Sequence, residues 1–225
     1  MKTALILPTA FCTTFNPGVS SEERIEQYVK GFKQIAEVAV KHSDIDVYLV
    51  DNTVDDSSKV DMRLIEALDG ISTLKDKLFF SDNEYGAKNK GAGLICAWKG
   101  FLSRKGEGYD YIISFEPRQE LLNYDLFDRF NNHPNSYFRL MRPQARKFRV
   151  FPIMLHQVLT GFSIFRKTDL EQYCKQVDLV SMVEQKISIE DDLFDFLFKN
   201  QTSFEVVSNA GIRWHDTAQN KYWTF

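Results

Sequence analysis

A chain of 225 residues can bury one sizeable core or two small ones. With 44% hydrophobic residues, 26% charged residues and a formal net charge of -3, it has the composition of a soluble globular protein and gives no general reason to expect nucleic acid as a partner. Its cysteines, Cys12, Cys96 and Cys174, are far apart and form no CxxC pair, which argues against a zinc cluster or a disulfide framework and for a reducing, cytoplasmic setting.

The first apolar run, TALILP at 3–8, has the length of a strand. Pro8 interrupts it and bulky Phe11 follows, so it reads as a strand rather than a signal peptide. After a polar loop, Ser20 and Glu23 stand at capping-box spacing and predict a helix start. Ile25, Val29, Phe32, Ile35, Ala36 and Ala39 recur at helical spacing as its apolar face. DVYLVD at 46–51 reads as a second strand, a helix over 59–68 ends near Gly70, and KLFFS at 77–81 reads as a third strand. GAKNKGAGLICAWKGFL is a helix with a glycine-rich start, in which Trp98 reads as core, and YDYIISF at 109–115 is a fourth strand. This alternation predicts an α/β fold with a mainly parallel, Rossmann-like central sheet and helices on both faces.

Beyond residue 118 the pattern loosens. YFRLMRP at 137–143, LTGFSIFRK at 159–167 and FEVVS at 204–208 read as strands, and IEDDLFDFLFKN as a helix with an acidic first turn. No stretch is apolar enough to span a membrane. No repeat or linker interrupts the chain, so one domain is expected over 1–225.

Ligands of open α/β sheets bind beyond the carboxyl ends of the strands. Those ends carry Pro8-Thr9, Asp51-Asn52-Thr53, Ser81-Asp82-Asn83 and Glu116-Pro117-Arg118. YGAKNKGAG matches neither a P-loop nor the GxGxxG fingerprint. Gly86, Gly91 and Gly93 either admit a phosphate beside Lys88 or let the helix pack closely on its neighbours; both readings stand at this point.

Together these residues resemble the GT-A nucleotide-sugar glycosyltransferases, most closely the family 2 type. Pro8 and Thr9 match the Pro-Thr that ends the first strand in that family, and VDNTVDD, led by Asp51, matches its acidic base- and ribose-holding segment. Asn83, Gly86, Lys88, Asn89 and Gly91 follow the order of its next element, with shortened spacing. TGFSIFRK, with Gly161 and Phe162, resembles the acceptor-side segment, as do Trp214 and His215 in RWHD. The resemblance makes 1–118 a nucleotide-binding half and 119–225 an acceptor-side half. It makes Pro8, Thr9, Asp51, Asn83, Lys88, Asn89 and Glu116 donor-binding residues. It implies a transferase in glycan biosynthesis, of hexosyltransferase type, using a nucleotide sugar and a glycan or lipid-linked acceptor. IEDD resembles the pair in which an aspartate is catalytic base, which points to Asp191 beside Glu190, with Asp192 as the alternative.

One departure stands out. The fourth strand of the family ends in DxD, which holds a divalent metal such as Mn or Mg against the diphosphate, whereas this chain has Glu116-Pro117-Arg118. A guanidinium has no lone pair for a cation. Glu116, with His215, is the candidate metal ligand if a metal is used, and otherwise Arg118 supplies the positive charge on the leaving diphosphate. Asp191 would then accept the acceptor's proton in an inverting displacement. A non-catalytic nucleotide- or carbohydrate-binding module is the alternative. A sugar-phosphate nucleotidyltransferase is disfavoured by the lack of its glycine-rich loop after Leu7.

Plainer readings sit beside these. The acidic turn at 190–192 suits a helix N-terminus, and Arg118 can simply pair with Glu116 or Glu120. His42 and His133 carry no signal, and His156 is a weak acceptor-side candidate. Arg139, Arg142, Arg146, Lys147 and Arg149 read either as a solvated face or as a contact for an anionic acceptor or a membrane surface. Tyr222 and Trp223 read as a sugar-stacking tail or as residues docked on the core.

Overall fold

Strand β1 (Thr3–Thr9) buries every residue, because helices cover the sheet on both sides. The computed structural model describes residues 1–12, 21–141, 157–216 and 221–224, with the backbone alone at 214–216, 221 and 222. The side chains of Ser20, Arg142, Arg146, Lys147, Arg149, His156, Trp214, His215 and Tyr222 therefore lie outside the described residues.

After β1 come α1 (Ser21–Lys41), β2 (Ile45–Asp51), α2 (Met62–Asp69), β3 (Leu74–Phe79), α3 (Lys90–Lys105) and β4 (Tyr111–Phe115). The later elements are β5 (Glu120–Leu121), α4 (Asp125–Asn132), β6 (Tyr137–Phe138), β7 (Leu140–Met141), β8 (Gln157–Val158), β9 (Phe162–Arg166), α5 (Lys167–Gln176), α6 (Leu179–Glu184), α7 (Ile189–Lys199), β10 (Glu205–Val206), β11 (Ile212–Asp216) and β12 (Lys221–Thr224). A seven-stranded sheet runs in the order β10-β6-β9-β4-β1-β2-β3. β1 to β4 are mutually parallel and β9 returns antiparallel between β4 and β6. The fold is the mixed α/β architecture expected, and strands from both halves of the chain share one sheet.

Side-chain alternation along the strands splits the core. Leu5, Leu7, Ile113 and Phe115 face α1, α2 and α4, where Phe32, Leu64, Leu68, Phe127 and Phe130 meet them. Ala4, Ile6, Val50 and Ile112 face α3 and α5–α7, meeting Ile95, Trp98, Leu170 and Leu193. Trp98 is fully buried, as expected, and donates its indole N–H to Ser114 Oγ at 2.9 Å.

β3 forms one outer edge of the sheet. Its charged residues are paired: Lys75 with Asp46, Lys77 with Asp69, Asp76 with Lys105. The strand starts three residues before the expected KLFFS because LKD is only partly buried and lacks the apolar signature. β10 at the other edge has two residues. YFRLMRP splits into β6 and β7, which join different sheets. The tail forms a hairpin, β11–β12, laid antiparallel on β5, and Glu120 there receives both Arg213 and Lys30.

Candidate functional site

β1, β2 and β4 end together, with Thr9 opposite Asp51 and Ser114 opposite Ile6, so their carboxyl ends share one edge. Glu116 follows β4 and donates its N–H to the Gly161 carbonyl at 2.9 Å, which sets it at the mouth of β9. Arg118 turns back, and its guanidinium meets Glu116 Oε2 at 3.3 Å; Gln119 Nε2 approaches the same oxygen at 3.4 Å. The Glu116 and Arg118 side chains are 23% and 21% exposed, so both reach solvent from a half-buried position.

α1 holds this tip from one side. A Cβ added at Gly31 would lie 1.7 Å from the Pro117 carbonyl oxygen, so only glycine allows the helix to sit so close. One turn earlier, the buried Tyr28 hydroxyl accepts the Ala10 N–H at 3.0 Å. Burial opposes the charge on Arg118, but Tyr28 and Glu116 more than offset it, and its pKa stands above the ordinary arginine value.

α7 approaches from the other side. Ser188 caps this helix, accepting the Asp191 N–H and donating its hydroxyl to Asp191 Oδ2 at 2.7 Å. Asp191 Oδ1 accepts Gln157 Nε2 at 3.0 Å, so both carboxylate oxygens are engaged by the chain itself. Glu190 is the acid of this turn that faces the tip. Thr160 Oγ1 donates to it at 3.4 Å; burial and then the charge of Glu116 raise its pKa above the usual carboxylate range, against the effect of its own backbone N–H and of Thr160. Asp192 turns away to accept the Tyr173 hydroxyl at 2.9 Å.

The other predicted residues divide between site and scaffold. Asp51 is 0% exposed and fully engaged, accepting from Thr9 Oγ1, Phe11 N, Thr53 N, Thr53 Oγ1 and Val54 N. Its carboxylate ties the β1 and β2 ends together. Pro8 is buried inside β1. Asn83 packs against the close approach of Gly86 and Gly93, where an added Cβ would fall within 3 Å of the opposite Cα. Gly91 meets Ile189 of α7 in the same way. Of the two readings of these glycines, this geometry supports close packing. Lys88 is exposed and pairs with Glu84 at 3.7 Å. Phe162 is core, against Phe115 and Phe127. Trp223 is partly exposed on β12.

Asn89 caps α3 through its Oδ1 and donates its Nδ2 to the Met182 and Ile187 carbonyls, both at 2.9 Å. Asn89→Asp would keep the cap and turn an acceptor toward two carbonyls. We expect about 2–4 kcal/mol lost from unfolding free energy in a denaturant titration. Unchanged stability with loss of nucleotide binding would instead make Asn89 a donor ligand.

Sequence reasoning missed Tyr28, Thr160, Gln157 and Arg24. The available signal was an arginine on the buried stripe of α1, since Arg24, Tyr28, Gly31, Phe32, Ile35 and Val38 are the residues that face inward. For a metal, Glu116 is the only acid of the triplet and it faces Arg118; among the described residues no group of three or more His, Cys, Asp or Glu could hold an ion. The side chain of His215, the other candidate ligand, lies outside the described residues. Cys96 and Cys174 are buried, and burial pushes their thiols up to about 11 and about 12.

Comparison of the structure with solved structures places this architecture. A nucleoside-diphosphate-sugar pyrophosphorylase from Vibrio cholerae RC9 aligns with a TM-score of 0.53 at 13% identity, over 93% of each chain. The galactosyltransferase LgtC, solved with donor and acceptor sugar analogs, aligns with a TM-score of 0.51 at 9% identity, over 87% of this chain and 70% of that one. The chain has a GT-A-like fold. No family model and no curated protein matches the sequence. In this GT-A-like frame the carboxyl edge of β1, β2 and β4 is the expected ligand edge. No helix among the described residues is long and apolar enough to cross a membrane.

Proposed function

We propose that this protein transfers a sugar from a nucleotide-sugar donor to an acceptor hydroxyl, by a single displacement that inverts the anomeric centre. The observation that carries this reading is that Glu116, at the tip of β4, meets the Arg118 guanidinium while its charge also acts on Glu190 of α7, which brings a cation and a proton-accepting carboxylate to the two sides of one residue. The acceptor oxygen attacks the anomeric carbon as the bond to the diphosphate oxygen breaks. The bond's electron pair leaves with the diphosphate, whose growing charge Arg118 neutralises. The acceptor's proton passes to a carboxylate of α7. The resemblance assigns that role to Asp191; we favour Glu190, because it faces Glu116 and Thr160 while Asp191 is engaged in the helix cap. Donor and acceptor analogs bound together in LgtC support pairing these two substrate classes on such a fold. The sugar-phosphate nucleotidyltransferase remains the less favoured reading.

A calorimetric titration with UDP, GDP and CMP, each with and without manganese, tests the donor half. We expect one nucleotide to bind without metal and Arg118→Ala to weaken it at least tenfold, as loss of a bidentate charged contact should. Binding that needs manganese and survives the substitution would overturn the charge replacement. A non-catalytic binding module is the second reading, favoured by the engagement of both Asp51 and Asp191 with their own chain. Donor hydrolysis above the uncatalysed rate excludes it.

A further inference from the structure

Three residues of α1 line the back of the β4 tip at i, i+4 and i+7: Arg24, Tyr28 and Gly31. Gly31 fixes the distance, because its contact is with the Pro117 backbone. Tyr28 is locked by the Ala10 N–H and by stacking on Phe32 with ring centroids 5.9 Å apart. Arg24, one turn further, is 8% exposed.

An arginine buried to that degree nearly always carries a carboxylate partner. Among the described residues Arg24 has none, and its charge meets Tyr28 and Arg118. The sequence of 13–20, 142–156 and 217–220 contains no Asp or Glu, which leaves Asp216 and the carboxylate of Phe225 as the acids whose side chains or end groups lie outside the described residues. Arg118 comes to the same tyrosine hydroxyl from the β4 side, and its carboxylate contact among the described residues, with Glu116 at 3.3 Å, is long for a charged pair. Two guanidinium groups thus converge on one tyrosine hydroxyl, with Glu116 as their counter-charge among the described residues. Burial lowers the Arg24 pKa, Tyr28 acts against this, and repulsion from Arg118 adds to it.

We propose that Arg24 and Arg118 form a two-pronged cradle for the phosphates of a phosphorylated ligand, with a diphosphate as the class it fits. This rests on the site assigned above and adds α1 as its phosphate-binding element. One planar fork serves one phosphate; two forks that meet at one tyrosine hydroxyl serve two linked ones.

Pyrophosphate and orthophosphate, titrated calorimetrically against the whole chain, are the probes. Pyrophosphate should bind more tightly than orthophosphate. Arg24→Gln and Arg118→Gln should each weaken pyrophosphate about tenfold to a hundredfold, Arg24→Lys should weaken it less, and Arg104→Gln on the far end of α3 should leave it unchanged. Without ligand, Arg24→Gln should melt no lower than the wild type, because it removes an uncompensated buried charge, whereas its rise in melting temperature on adding pyrophosphate should vanish. Pyrophosphate that fails to bind the wild type, or binds Arg24→Gln and Arg24→Lys as tightly, overturns the cradle. Arginine-dependent pyrophosphate binding without any nucleotide-sugar turnover would keep the cradle and remove the transferase. Turnover unaffected by Arg24→Gln would do the reverse.

Discussion

Gly31→Ala should be among the most damaging single-methyl changes available in this chain. The new Cβ would stand 1.7 Å from the Pro117 oxygen and 2.7 Å from its carbonyl carbon, and both are backbone atoms that cannot rotate aside. Alanine gains about 1 kcal/mol over glycine in a helix interior, while overpacking against a fixed backbone costs about 1–3 kcal/mol and sometimes more. The methyl therefore gains nothing net, and either α1 or the Glu116-Pro117-Arg118 turn must retreat. Any retreat separates Arg118 from Tyr28 and spoils the site even where the fold survives. We expect a melting temperature lower by roughly 5 °C and nucleotide affinity reduced at least tenfold. Gly70→Ala is the control: that glycine caps α2 with φ -71°, and its added methyl meets the Ala67 oxygen at 3.3 Å and the Glu66 oxygen at 3.9 Å. It should be nearly neutral. A Gly31→Ala protein with unchanged melting and unchanged binding would show that α1 does not rest on the turn.

Glu190→Gln is the second large effect, and it should act in opposite directions on turnover and on stability. Loss of a general base typically lowers the rate by about a hundredfold to ten-thousandfold, and donor binding should stay within a few-fold. For stability, the folded carboxyl has a pKa above the ordinary 4.5, raised first by burial and then by Glu116. The folded state therefore holds the proton more tightly than the unfolded chain. Its contribution is fully present below pH 4.5 and is lost as pH rises through the higher folded value. The neutral amide escapes this loss. Denaturant titrations should find Glu190→Gln more stable than the wild type at pH 7.5, with the gap closing near pH 4.5. Turnover in the wild type should rise with pH across the same interval. Asp191→Asn should behave differently, losing about 1 kcal/mol of helix capping and keeping much of its turnover. If instead Glu190→Gln turns over normally and Asp191→Asn does not, Asp191 is the base.

Much of the fold could be read from the chain because β1, β2 and β4 are buried on both faces, and such strands appear as unbroken apolar runs. α1 and α7 were visible through their periodicity, although the true inward face of α1 is rotated toward Tyr28, leaving Ile25 and Val29 half-buried. The second half was harder. β5, β6, β7, β8 and β10 have two residues each, too few for alternation to register. α4 was missed although its N-terminal half is acidic and its Phe127 and Phe130 are fully buried, because eight residues offer little more than two turns of pattern. Within the site, the sequence put Asp51, Lys88, Glu116, Arg118, Glu190 and Asp191 forward as candidates but not the direction each side chain takes. That direction depends on caps: Ser188 captures Asp191, and the β1 and β2 ends capture Asp51. The Asp51 bonds to Thr9 and Phe11 are set by tertiary geometry, which residue spacing does not encode, whereas Ser188 and Asp191 stand three residues apart and their cap is of the kind that spacing reveals.

The two margins of the central sheet bear on how the protein behaves at high concentration. On one side, lysine and aspartate alternate along β3, each held by a counter-ion on its own chain; on the other, β10 is two residues long and Glu205 is paired with Arg129. Neither margin offers an incoming chain a long, flat, apolar row of unpaired amides. Strand-to-strand polymerisation through the central sheet is thus discouraged from both sides.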